Sequence, residues 1–396
     1  MKRITLSIAA IALIASAAQA DIKSKSFGGS ASLFYGTNDS GNADLFNKGT
    51  NSYGDAAIHL GGSAAVGSCE TCTTLNYGVT GVSTLGLENT LVGATWINHT
   101  LEDAIWIDTL NLTFNPLNGI SNTTMVVGRQ ALDTPMVFTE TWNIAKNTYD
   151  AAVAVNNDIV NTTLVGAWVG RSNVGGAMTV NATNGFSDDS FDDFLGAQGA
   201  FAFGAVTKAI PGVTAQAWYY LAPSFPANGD AAIAWLQADG EFAGFALGGQ
   251  YIYTDVSANP DQGSAYAVKI GYNYEGLGLS AAYSSTDENS VVSNLGGSQS
   301  KLYTEAWWNY GQVSQTDTDS FNVTATYSVE GVADLGLYYT NADHTGTNTN
   351  GDMSEVAVTA GTKLGNLDAT VAYIYTDIDG APDTQNDIQA YLTYNF

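Results

Sequence analysis

Apolar and polar residues alternate with period two through most of the chain. In the last ten residues Ile388, Ala390, Leu392, Tyr394 and Phe396 fall on one face. Asp387, Gln389, Tyr391, Thr393 and Asn395 fall on the other. Val323, Ala325, Tyr327 and Val329 oppose Asn322, Thr324, Thr326 and Ser328 in the same way. Asp368, Thr370, Ala372, Ile374 and Thr376 oppose Leu367, Ala369, Val371, Tyr373 and Tyr375. Such alternation marks strands with one apolar and one polar face. Further segments lie near 27–36, 56–66, 104–114, 122–130, 162–170, 196–206, 213–221, 231–238, 242–254, 264–274, 277–286, 333–340 and 353–363, and weaker ones near 75–83, 91–97 and 150–156. That makes nineteen candidates. A closed bacterial barrel has an even number, so about 18 strands are expected, with 16 as the alternative. The surplus segment belongs to the stretch 67–100, where the pattern is poorest.

The connections alternate in length. Asp239-Gly240, Glu275-Gly276, Glu330-Gly331 and Gly365-Asn366 read as tight hairpin turns. Between these come long polar stretches at 37–54, 171–195, 287–319, 341–352 and 377–387. Short turns on one rim and long loops on the other describe a transmembrane antiparallel β-barrel of the outer-membrane type. The same-face pairs Tyr251/Tyr253, Tyr272/Tyr274 and Tyr373/Tyr375 suit its interfacial belts. At this strand number the polar face encloses water rather than packed side chains. No helical period of useful length competes.

The first twenty residues stand apart. Lys2 and Arg3 precede a short apolar run, and Ala18-Gln19-Ala20 offers small residues at a cleavage site. Residues 1–20 read as a signal peptide, and 21–396 as one barrel domain. Removing twenty residues, two of them basic and none acidic, takes the charge from −26 to −28. Lys and Arg number only 12 against 38 Asp and Glu, which excludes nucleic acid as a partner. Two cysteines cannot staple a chain of this size. Cys69 and Cys72 read as a small disulfide in a turn of an oxidising compartment. His59, His99 and His344 are scattered, and no catalytic spacing emerges, so an enzyme is not expected.

The loop 131–149 differs from the others, being rich in Leu, Met, Val, Phe, Trp and Ile. Apolar loops pack on something. Folded into the lumen, this one would set its Asp133, Glu140 and Lys146, with Arg129 opposite, at the narrowest point. The run Gly128-Arg129-Gln130-x-Leu132-Asp133-Thr134-Pro135, then Trp142, Asn147-Thr148-Tyr149, Asn157-Asp158 and Thr162 to Ala167 resembles the major outer-membrane porins of epsilonproteobacteria. It is more distantly similar to the Opr-type substrate-selective porins. The resemblance implies an 18-stranded barrel, usually a homotrimer, with its third outer loop turned inward. It also implies that Leu392, Tyr394 and Phe396 form the signal read by the barrel-assembly machinery. Opr-type channels line the pore with arginines, whereas here only Arg129 and Arg171 follow the leader. With the net charge this points to a cation-preferring lumen.

The expectation is an outer-membrane diffusion channel for small hydrophilic solutes and ions, in contact with membrane lipid and lipopolysaccharide and without a cofactor. An adhesin or a substrate-selective channel would use the same barrel. A Gly-rich β-solenoid would show a fixed repeat, and there is none. Asp188, Asp189, Asp192 and Asp193 read as a solvated acidic loop, the alternative being a weak Ca²⁺ or Mg²⁺ site. Trp307 and Trp308 read equally well as a rim anchor or as part of a loop packed on the barrel.

Overall fold

The computed structural model describes residues 22–47, 51–67, 73–87, 90–92, 103–142, 144–174, 187–225, 229–346 and 348–396. Among these are nineteen strands, from Ile22–Asn38 to Gln385–Asn395, and a single 3-10 turn at Ser40–Asn42. Eighteen strands form one closed antiparallel ring. The first strand pairs with the last from Ser30↔Asn395 to Asn38↔Asp387 and with the second along its other edge. Gly29 and Phe396 exchange two backbone hydrogen bonds of 2.9 Å at the seam. Closure leaves the ring without a free end strand, which hydrocarbon requires of a spanning sheet. Among the described residues no helix is long and apolar enough to cross a membrane.

The alternation in the sequence is the alternation of the wall. Leu337, Val371 and Leu392 are 50%, 55% and 41% exposed on the outside, while Thr340, Ala372 and Gln389 of the same strands are buried within. Tyr251 and Tyr253 stand exposed toward the loop end of their strand, and Tyr272 and Tyr274 toward the turn end of the next. They form belts at both levels. Exposed Leu392, Tyr394 and Phe396 share the outer face beside the seam.

The structure departs from the sequence reading at three places and makes a wall strand of one of its weaker candidates. The Asp239-Gly240 pair lies inside the strand Gly229–Phe242, and the turn falls at Ala243-Gly244, with φ of 51° and 85°. Pairing of Phe242 with Phe245 carries the ladder past the Asp-Gly signal. Glu275-Gly276 is the expected hairpin turn, with φ of 43° and 84°. Secondly, an unforeseen strand, Ser187–Asp193, arises in the polar stretch 171–195. It pairs with the loop end of Thr162–Val174, whose remaining length pairs with Ala200–Thr207. The neighbouring strands Thr123–Gln130 and Tyr149–Asn156 are short, and this extra strand reaches across above them to Asp103–Phe114. Thirdly, 75–83 is a strand of the wall (Thr73–Ser83), whereas 93–97 of the candidate 91–97 lies outside the described residues, as do the leader, Cys69 and Cys72. Fourthly, 287–317 is not an outer loop.

Candidate functional site

Two long connections, 131–148 and 287–317, enter the barrel and meet inside it. Their apolar residues explain why. Leu132, Met136 and Val137 of the first and Val292, Leu295, Leu302 and Val313 of the second are buried against inward wall residues such as Trp235, Ile252 and Ala265. Trp142 and Ile144 pack on Phe34, Tyr53 and Trp106, while Trp307 and Trp308 pack on Ala357, Ala372 and Ile374. The loops therefore touch several sides of the wall, and the lumen must pass between them. An aqueous interior rewards such apolar segments for finding dry contacts, at roughly 25 cal/mol per Å² buried.

Three glutamates fasten the loops. Glu140, 4% exposed, accepts hydrogen bonds from Ser298 N and Gln299 N, both 2.7 Å, from Asn294 Nδ2 at 3.0 Å and from Trp142 Nε1 at 2.8 Å. It joins one loop to the other across 158 residues of sequence. Asn294 supports the junction by donating to Phe138 O at 2.9 Å and accepting from Phe138 N at 3.2 Å. Glu355, on the wall strand Met353–Leu364, accepts from the successive amides of Trp307, Trp308 and Asn309 at 2.7 to 3.2 Å. Glu305 accepts from Ala306 N at 3.1 Å, Gly311 N at 3.3 Å and Ser300 N, closing the second loop on itself. Carboxylates accepting amide donors are among the stronger hydrogen bonds. Burial pushes the Glu305 carboxyl up to about 7, against the lowering effect of those donors. Burial likewise raises the Tyr303 and Tyr310 phenols.

Three of the basic residues follow one pattern. Lys269 Nζ lies 2.8 Å from Asp239 Oδ1 and 4.1 Å from the ring centre of Tyr303, whose hydroxyl donates to the same aspartate at 2.8 Å. Lys301 pairs with Asp133 and lies 4.8 Å from the Phe138 ring centre. Arg129 meets Asp150 through Nε at 2.7 Å, donates to Ile107 O at 2.8 Å, and sits 3.2 Å from the ring centre of Phe191 on the extra strand. Each of these three cations has a carboxylate and an aromatic face. Gly248 makes the Lys269 group possible. A Cβ there would stand 2.7 Å from Lys269 Cε, 2.7 Å from the Tyr303 hydroxyl and 2.8 Å from Asp239 Oδ1.

Below the loop junction lies a cavity of about 520 Å³. Gln299, Tyr303, Glu305, Trp307 and Tyr310 of the second loop face it, with Trp142 of the first and Asn322, Tyr338 and Tyr391 of the wall. No basic residue lines it. A second cavity, of about 450 Å³ and bordered by Lys208, Asp239, Glu241 and Lys269, opens toward the turn end.

The four residues expected at the constriction lie as follows. Asp133 is exposed and bridges to the second loop through Lys301. Lys146 is half-buried and makes no ion pair among the described residues. Arg129 is held in the wall by Asp150 and Phe191. Glu140 carries no free charge to the lumen, because its oxygens are occupied by the second loop. Sequence reasoning missed Glu305, Glu355, Lys269, Lys301, Asp239 and Tyr303. Their one signal was the doublet Trp307-Trp308 in an otherwise polar stretch. His59, isolated in sequence, meets Asp108 at 2.7 Å on the wall. Asp192 and Asp193 are exposed, Asp193 3.9 Å from Arg171, and the side chains of Asp188 and Asp189 lie outside those described. Among the described residues no three metal-ligating side chains converge.

Comparison with known proteins agrees with this architecture. The family model described as Gram-negative porin matches residues 7–396. No curated protein matches the sequence. Among solved structures, Pseudomonas aeruginosa OccK9 (OpdG) is 15% identical with a TM-score of 0.71, covering 93% of this chain and 98% of its own. The P. aeruginosa OpdK structure with vanillate is 11% identical with a TM-score of 0.70, covering 95% and 98%. Acinetobacter baumannii OccAB4 is 11% identical with a TM-score of 0.69, covering 94% and 98%. At these identities the likeness is one of fold.

Proposed function

The chain belongs to the Gram-negative porin family, and from that premise we propose that it is a passive diffusion channel of the outer membrane for small hydrophilic solutes and ions, preferring cations. The observation that carries the preference is the treatment of basic residues. Lys269, Lys301 and Arg129 are each neutralised by an aspartate, while the cavity under the loops carries a glutamate and no basic group. A passage lined by one sign concentrates the opposite ion, and salt weakens the effect. Nothing in this arrangement is a free arginine ladder, so anionic solutes have no track to follow.

Several parts of the reading rest on sequence. Residues 1–20 would be cleaved during export. Leu392, Tyr394 and Phe396 would be read by the barrel-assembly machinery. The chain would work as a homotrimer in contact with lipid and lipopolysaccharide, without a cofactor, Ca²⁺ or Mg²⁺ at Asp188, Asp189, Asp192 and Asp193 being the alternative. The run from Gly128 to Ala167 suggests kinship with the epsilonproteobacterial major porins. The test is the reversal potential of the purified protein in a planar bilayer under a KCl gradient. A cation-selective sign is expected, and an anion-selective sign defeats the preference. Swelling of liposomes in small sugars and amino acids checks the passive route independently.

A further inference from the structure

We propose, on the basis of the channel reading above, that the cavity beneath the two loops binds small organic cations: ammonium groups that carry apolar surface. The rings come first. Trp142, Trp307, Tyr303, Tyr310, Tyr338 and Tyr391 all border one space of about 520 Å³ and are all half-buried, so each is fixed by packing yet presents surface. Their contacts hold them in place: Trp142 to Tyr310 at 5.3 Å between ring centres, and Trp307 to Tyr338 at 6.4 Å. A conduit made only to pass ions and water has no use for this much aromatic surface. Such rings attract a cation through their faces, by about 0.5–2 kcal/mol each in favourable geometry.

Charge makes the choice between ligands. Among the described residues Glu305 is the only carboxylate on the cavity, and no Lys or Arg faces it. An anionic ligand would meet a glutamate and no partner. A neutral sugar could stack on the rings and donate hydroxyls to the carboxyl, but it draws nothing from the ring faces' attraction for positive charge, and glucose is therefore the rival that the experiment below must separate. An alkylammonium satisfies both, its methyl groups against the rings and its charge toward the Glu305 carboxyl, which borders the cavity, already accepts three amide donors and is ionised above about pH 7. The protein repeats this chemistry internally: Lys269, Lys301 and Arg129 each pair a carboxylate with an aromatic face. The cavity has the rings and the carboxylate and lacks the cation.

The experiment uses the full mature protein in planar bilayers, with choline chloride as probe, 3,3-dimethylbutan-1-ol as its neutral isostere, and glucose. Reversible millimolar interruption of the current by choline is expected, with at least about fivefold weaker block by the two other solutes. Glu305→Gln and Trp307→Leu should each weaken choline block about fivefold or more, while Trp307→Phe should retain most of it. Heat-modifiable mobility on gels verifies that each variant is a closed barrel. Equal block by the neutral isostere or by glucose overturns the cation assignment. Unchanged choline block in both Glu305→Gln and Trp307→Leu places binding elsewhere and overturns the site. Conductance without any choline block defeats this inference alone, whereas absence of conductance defeats the channel reading beneath it.

Discussion

Glu140 shows how one atom group can decide a pore. A carboxylate in an apolar loop reads the same in sequence whether it faces water or backbone donors. Its acceptor role depends on the amides of Ser298 and Gln299, more than 150 residues away, and amides leave no mark in a sequence. Position was therefore legible and role was not. Replacing it with glutamine keeps the shape but removes the charge that holds four donors. Glu140→Gln is expected to weaken the loop junction by about 2–3 kcal/mol, the worth of a charge-assisted hydrogen bond lost in a buried site. Faster proteolytic cutting within 287–317 with an intact barrel is the result that supports this; unchanged cutting contradicts it. Glu305 makes a different prediction. Its carboxyl is raised to about 7, so the folded loop holds its proton where a free glutamate has released it. Between about pH 4.5 and 7 the native state therefore binds more protons, and the loop loses stability as pH rises through that window. The lumen gains a negative charge over the upper part of the same interval. Glu140, Glu355 and the Tyr303 and Tyr310 phenols are the neighbouring titratable groups, and Glu140 and Glu355 already accept several amide donors. Cation selectivity should rise between pH 6 and 8, and Glu305→Gln should flatten the rise.

At the scale of elements, strands were legible because period two is a local pattern and the wall obeys it. The turn at Ala243-Gly244 was not, because Asp239 is needed inside the barrel beside Lys269 and Tyr303 rather than in a turn. The loop 131–148 declared itself by its apolar residues. The loop 287–317 did not, because its Ser, Gln and Asn residues disguise the buried Val292, Leu295, Leu302 and Val313 among them. Asn294 and Ser298 among those polar residues bond to the first loop, and Asn309 bonds to the wall. Gly248 tests how the second loop is seated. Gly248→Val should push Tyr303 and Lys269 off Asp239, giving a noisier current with a barrel melting temperature within a few degrees of wild type; quiet, unchanged channels would show that the triad does not seat the loop.

The whole molecule is a ring of eighteen strands, narrowed from within by two of its own loops. The ring could be anticipated because aqueous lumen and hydrocarbon impose opposite demands on alternate residues of every strand. The narrowing could not be anticipated in full, because it is a meeting of two segments brought together only by closure. The measurement that tests this most directly is single-channel conductance of the intact protein beside a variant in which 297–311 is replaced by a short Gly-Ser linker. Discrete ohmic steps are expected in the first and steps at least about twofold larger in the second, since the lumen of such a barrel is wide once unobstructed. Equal step sizes, or no steps from a correctly closed barrel, would contradict the account.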